Sequence, residues 1–320
     1  MKRLHYIYVF LSVLLPVTFT ACIKDDLSGC ISDTRIYFDY ERNLSSKKDG
    51  GINPDDITRI NLFVFDDRGL FVNEYIDEAP HMSEEYFMTV NGLKKGYYRF
   101  VAWGNLGEHY ALSSALVPGE TTFEDLRVAL INIKDNKVEY RLQPLFYATH
   151  KGSRSIEIME VSAQHIRLNL IEDTYKINLT VSGMDPASVA DYDYLAEITD
   201  NNGAYGLDND FAPFQEFKYT QPCTVEAVEQ GGDLKSSLIV LRLTENRTPV
   251  LRLINKQNNT VIVEDSLVKL IMDANEAGAT IDFNKTHEFD IRYELSQSSS
   301  IGIIIYINGW KLIKQPDVLD

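Results

Sequence analysis

Apolar residues along this chain come in short runs separated by Gly, Asn and Asp clusters, and few of the runs keep a helical period. Val, Ile, Tyr and Phe dominate residues 34–40, 58–65, 86–90 and 96–103, which predicts β-strands. Thr58-Arg59-Ile60-Asn61-Leu62-Phe63-Val64-Phe65 begins by alternating and ends continuously apolar, so the strand should be covered on both faces toward its C-terminal end. Asp66-Asp67-Arg68-Gly69 then turns the chain and Leu70-Phe71-Val72 returns, a hairpin. Runs at 145–150, 155–161 and 165–171 close a first unit. At Glu172-Asp173 the pattern breaks and restarts as Tyr175-Lys176-Ile177-Asn178-Leu179-Thr180-Val181, ended by Gly183 and Pro186. Further strands are expected at 192–199, 217–227, 238–243, 250–254, 260–263, 287–295 and 301–307, with Asn308-Gly309-Trp310 ending the last. Two helices fit: a short one within 122–131 (Phe123, Leu126, Leu130), and 266–273, with Leu267, Leu270 and Ile271 on one face and Asp265 or Ser266 as cap. Residues 200–210 form the most polar loop, and the tail after Lys314 is expected to be loose. The pattern predicts an all-β chain of two tandem β-sandwich domains of seven or eight strands each, residues 22–172 and 173–320.

The start of the chain is different. Lys2 and Arg3 precede an almost wholly apolar Ile7–Val17 stretch, shorter than the roughly 20 residues a spanning helix needs. Residues 1–21 therefore read as a signal peptide. Phe19-Thr20-Ala21-Cys22 resembles a bacterial lipobox, with Phe19 where Leu is usual. It predicts acylation of Cys22, palmitate being a typical chain, and cleavage just before it. Each buried methylene contributes about 0.8 kcal/mol, so two or three chains hold a protein firmly to a membrane.

Loss of Lys2 and Arg3 takes the net charge from -16 to -18. Such a surface repels phosphate backbones, which argues against nucleic acid as a partner. An apolar share of 44%, with 18 Tyr and 15 Phe, suits a packed β-rich chain. With Cys22 taken by the lipid, Cys30 and Cys223 are left to pair as a disulfide or to stay apart, and no CxxC spacing points to metal or redox chemistry. Zinc-protease, serine-hydrolase, phosphate-loop and dinucleotide motifs are absent, so no enzyme, cofactor, metal site or small-molecule substrate is expected. His287-Glu288-Phe289-Asp290 sets Glu288 and Asp290 on one strand face, a carboxylate pair of interest for glycoside hydrolysis but more simply a solvated face. Asp200-Asn201-Asn202-Gly203 and Asp208-Asn209-Asp210 invite a calcium reading, yet their spacing fits turns better. Tyr192, Tyr194 and Tyr205 offer aromatic faces for sugars or one half of an alternating strand. Trp103 and Trp310 both read as core residues at strand ends.

The combination of motifs is recognisable. A lipobox runs into Cys22-Ile-Lys-Asp-Asp-Leu-Ser-Gly-Cys30; Ile60-Asn-Leu-Phe-Val-Phe-Asp66 is followed by Gly-Leu-Phe-Val; Gly96-Tyr-Tyr-Arg-Phe-Val-Ala-Trp-Gly-Asn105 lies downstream; and Asn308-Gly-Trp310 stands near the end. This resembles the fimbrillin-associated anchor lipoproteins of Bacteroidales, relatives of minor subunits of type V fimbriae. Lys24-Asp25-Asp26 is similar to the acidic signal that sends Bacteroidetes lipoproteins to the cell surface, and Asp265-Ser266-Leu267 to their O-glycan acceptor pattern. The resemblance implies two transthyretin-like sandwiches, a lipid-held base at the outer membrane, and a sheet groove that takes a strand from the first stalk subunit, a fimbrillin. It implies no proteolytic trimming at Arg42 or Arg59. The rival reading is a glycan-binding surface lipoprotein of a polysaccharide-uptake system, which requires clustered exposed Trp or Tyr.

Overall fold

A computed structural model describes residues 33–41, 51–152, 154–159, 163–184, 193–228, 231–295 and 303–313. Cys22, Cys30, Arg42 and Tyr192 lie outside them, as do all residues before 33 and after 313. The first part of the chain forms β1 (Thr34–Asp39), β2 (Ile60–Asp66), β3 (Phe71–Asp77), β4 (Phe87–Val90), β5 (Gly96–Gly104), β6 (Tyr110–Leu112), β7 (Arg127–Leu130), β8 (Lys137–Val138), β9 (Phe146–Thr149), β10 (Ile156–Ile158) and β11 (Gln164–Glu172). There follow β12 (Thr174–Ser182), β13 (Tyr194–Asp200), β14 (Ala204–Gly206), β15 (Phe217–Pro222), β16 (Thr224–Val228), β17 (Gly231–Leu241), β18 (Val250–Asn255) and β19 (Val261–Ser266). Helix α1 (Leu267–Glu276), β20 (Glu288–Glu294), β21 (Ile304–Ile307) and β22 (Trp310–Ile313) complete the described chain. The protein is all-β, as its hydrophobic pattern predicts.

An eight-stranded sheet runs β3-β2-β5-β9-β11-β1-β4, with β10 also on β5. Within it β1 is parallel to β11 and antiparallel to β4. A six-stranded sheet (β16-β17-β12-β20-β21-β22) and a five-stranded sheet (β19-β18-β13-β15-β8) carry the later residues, and β14-β7-β6 form a small fourth sheet. Glu172 ends the first large sheet and Thr174 opens the second, yet β8 and β14 pair across that seam.

β2 shows why its sequence is apolar throughout. Ile60, Leu62 and Val64 face a core enclosed by the first sheet with Ile36, Phe100, Phe146 and Leu168. Phe63 and Phe65 face the other way, into a second core continuous with Trp103, Tyr147, Ile177, Ile198, Leu251 and Phe289. Both faces of this strand are dry.

Four expectations need correction. Residues 122–131 hold no helix: Leu126, Val128 and Leu130 are buried at a period of two, β7 covers the last of them, and Phe123 packs edge-on against Phe65 with ring centroids 5.1 Å apart. Asp265 and Ser266 do not cap α1; Ser266 sits at the N-cap without a side-chain bond, and Asp265 accepts instead from the Tyr293 hydroxyl at 2.9 Å. Asn308-Gly309 does not end the last strand: both have positive φ (48° and 85°) and form a two-residue hairpin turn into β22. Trp310 thus begins a returning strand and is 45% exposed. Residues 200–210 are no exposed loop, since Asp200, Asn202, Tyr205 and Asn209 are buried and β14 pairs with β7.

Candidate functional site: the open sheet edges

In a chain without catalytic motifs, unpaired backbone groups at sheet edges are the surface able to take a partner. Most edges are blunted. β3 carries Glu74 and Asp77 and bulges at Val72, where its register against Val64 and Phe65 of β2 shifts. β16 carries Glu226, and β19 carries Glu264 and Asp265 with a register shift of its own. β6, β8 and β14 have two or three residues each. The free side of β4 meets β3, bridged by Tyr75 Oη donating to the Asn91 carbonyl at 2.9 Å and Tyr86 Oη to Asp77 at 2.9 Å.

β22 is different. Its sequence, Trp310-Lys311-Leu312-Ile313, has one charge. Its residues pair with β21 on one side, Ile307 to Trp310 and Ile305 to Leu312. The two-residue turn makes Ile307/Trp310 a hydrogen-bonded pair, so alternation directs the backbone groups of Lys311 and Ile313 outward. Trp310 shares the face of buried Ile305 and Ile307, and its ring stands over Gly278, where a Cβ would lie 3.4 Å away. Among the described residues β22 is an open edge whose core-side aromatic is only half covered.

The acids noted in the sequence form a structural ladder. Glu288 accepts from Lys176 Nζ at 2.9 Å and Asn178 Nδ2 at 2.7 Å; Asp290 accepts from Asn178 Nδ2 at 2.9 Å; Asn178 Oδ1 accepts from Ser237 Oγ at 2.9 Å. The ladder ties β17, β12 and β20 together beside a polar groove of about 590 Å³. Both carboxylates converge on Asn178 Nδ2, a structural partner within the sheet. His287 is buried behind them, its ring 4.8 Å from that of Tyr175. Asp208 Oδ1 accepts the Asp210 N–H at 3.2 Å, a turn within the chain, and among the described residues no group of three or more His, Cys, Asp or Glu is placed to hold a metal. Tyr194 and Tyr205 are buried, so neither offers a sugar platform. Cys223 is half-buried, and burial pushes its thiol up to about 12.

At the seam, Asp173 is fully enclosed. Arg242 stands 3.6 Å from it, its guanidinium 5.1 Å from the Tyr205 ring and 4.6 Å from that of Phe211, and donates to the Asn209 carbonyl at 2.6 Å. Burial raises the Asp173 carboxyl to about 6, against the pull of Arg242.

Pattern reasoning missed β22, although Asn-Gly is the strongest short hairpin signal and stood in plain view at 308–309.

Paired sheets, two cores and a polar seam define an all-β protein with an open edge at β22 among the described residues. Comparison with known proteins agrees. The family model for fimbrillin-A associated anchor proteins Mfa1 and Mfa2 matches residues 27–316. The minor fimbrium anchoring subunit Mfa2 of Porphyromonas gingivalis is 26% identical over 331 aligned residues, 97% of each chain. The solved structure of the P. gingivalis anchor protein Mfa2 superposes with a TM-score of 0.69 at 22% identity, covering 89% of this chain and all of that one. A Bacteroides thetaiotaomicron protein, described as a candidate polysaccharide-binding protein, superposes at 0.70, also at 22% identity, covering 88% of this chain and 98% of its own. This chain belongs to the Mfa1/Mfa2 fimbrillin-A associated anchor family.

Proposed function

We propose that the protein is the base of a fimbrium: lipid on Cys22 holds it to the outer membrane, and an open sheet edge accepts a β-strand of the first stalk subunit. Membership of the anchor family across residues 27–316 carries this reading. The lipobox supports the membrane attachment, and the relative named as a fimbrium anchoring subunit supports a place at the cell surface. For the strand, β22 is the edge we choose, because its outward N–H and C=O groups are unpaired among the described residues and few charges resist a neighbour. A strand laid beside it would also cover the exposed part of Trp310.

Two substitutions separate the parts of the proposal. Cys22→Ser should abolish acyl labelling and shed assembled stalks into the medium. Lys311→Pro removes an outward donor without breaking the β21–β22 ladder. It should leave the lipoprotein in the membrane and at wild-type abundance while stalk subunits no longer co-purify. Stalk retention by well-folded Lys311→Pro would overturn the choice of β22, and membrane retention of Cys22→Ser would overturn the lipid.

A further inference from the structure

Where β5 and the segment leading into β7 meet the 206–213 turn, a groove of about 350 Å³ opens beside the seam. Arg99 is half-buried on its wall, its guanidinium 3.4 Å from the centroid of the Phe123 ring. Neither Arg99 nor exposed Arg154, which also lines the groove, makes a hydrogen bond or close ion pair among the described residues, although the charges of Asp208 and Glu124 lie near enough to favour the Arg99 cation. A guanidinium carries five donors, and leaving them unmet in a partly dried cleft is unfavourable. Arg127, the third arginine, is occupied by the carbonyls of Glu124 and Leu126. Glu124, Asp208 and Asp210 share the groove, and Phe211 lines it with 39% of its surface exposed.

The mixture narrows the ligand. A simple anion gains from Arg99 and Arg154 but is repelled by three carboxylates. A neutral sugar hydrogen-bonds to the carboxylates but leaves the arginines unmatched. A ring bearing one carboxylate and several hydroxyls uses both sets. We propose that this groove binds a hexuronate unit of an acidic polysaccharide: Arg99 and Arg154 take its carboxylate, Glu124, Asp208 and Asp210 accept its hydroxyls, and Phe211 lies against its apolar ring face. The volume suits a small ligand at a junction between structural units. Gly206 helps to build the site, since a Cβ there would lie 2.6 Å from Asp208 Oδ1 and displace that carboxylate. The proposal stands independently of the lipid and of the stalk contact.

Calorimetric titration of the full chain in detergent tests it with three probes: trigalacturonate, uncharged galactotriose and sodium sulfate. Trigalacturonate should saturate and bind at least tenfold more tightly than galactotriose, with no saturation by sulfate. Arg154→Gln, at an exposed position that leaves folding intact, should weaken trigalacturonate binding at least fivefold, and Arg99→Gln should do the same. Gly206→Ala should weaken it through Asp208 while the melting midpoint reports whether the fold is kept. Absence of saturable trigalacturonate binding, equal binding of galactotriose, saturation by sulfate alone, or wild-type affinity in folded Arg154→Gln would each overturn the assignment.

Discussion

Asp173 sits between the last strand of one large sheet and the first strand of the next with no surface exposed. An acid raised from 3.8 to about 6 on folding keeps its proton longer in the native state. The native state therefore binds more protons than the unfolded chain between those values, and stability falls as pH rises through that window. A shift of this size corresponds to about 3 kcal/mol, none of it felt below about pH 4 and all of it above about pH 6. Asp173→Asn removes the titration. In urea unfolding, the stability of the variant relative to wild type should improve by about 2–3 kcal/mol between pH 4 and pH 7. A difference that does not move with pH would show that Arg242 already compensates the charge. Individual residues were legible in the sequence only where neighbours in the chain decide their environment. Trp103 and Trp310 both stand beside Asn and Gly, yet one is wholly buried and the other 45% exposed, because Trp103 precedes its turn in an inner strand and Trp310 follows its turn into an edge. Tyr205 looked like a polar-loop residue; its hydroxyl instead accepts the Arg242 N–H at 3.0 Å inside the core.

Strands declared themselves more openly than their partners did. The alternation of Tyr175 to Val181 matched β12, and the double-faced run at Ile60 to Phe65 matched β2, because side-chain period records burial directly. Residues 122–131 mimic a helix because Phe123, Leu126 and Leu130 also satisfy a helical spacing; Val128, buried between Leu126 and Leu130, decides for the strand. In the sequence, Gly183 with Pro186 marks only the end of a strand. In the fold it has φ +79°, and a Cβ would land on the Leu295 carbonyl oxygen, where β12 and β20 end side by side. Leu295 N–H also donates to the Ser182 carbonyl at 3.0 Å there, so the backbones cannot separate freely. Gly183→Ala should cost roughly 2–4 kcal/mol, combining a left-handed backbone with a backbone clash. Gly92→Ala, with similar φ but nothing within 4 Å, should cost about 1 kcal/mol. Chemical denaturation of the two side by side isolates the clash, and equal losses would refute it.

At the scale of the whole molecule, we propose that the division near Glu172 is one of topology and not of unfolding. The second core runs from Phe63, Trp103 and Tyr147 on the first sheet to Ile177, Leu251 and Phe289 beyond the seam, and β8 and β14 each pair across it. Periodicity could not foresee this, since pairing between distant strands leaves no local mark. The full chain should melt in one cooperative transition, residues 200–210 should resist thermolysin, and a fragment ending at Glu172 should aggregate through its bared aromatic face. Two resolved calorimetric transitions would contradict the shared core. One more consequence lies in the place of β1. It is the first described strand, and it lies inside its sheet, with six residue pairs to parallel β11 and four to antiparallel β4. A pull on the N-terminus runs along this strand rather than across it. The rows of hydrogen bonds on both flanks must then slide and fail together, whereas a terminal hairpin would peel open one pair at a time. The chain thus meets traction from its own beginning as a glued lap joint does, in shear, and should give way only at high force.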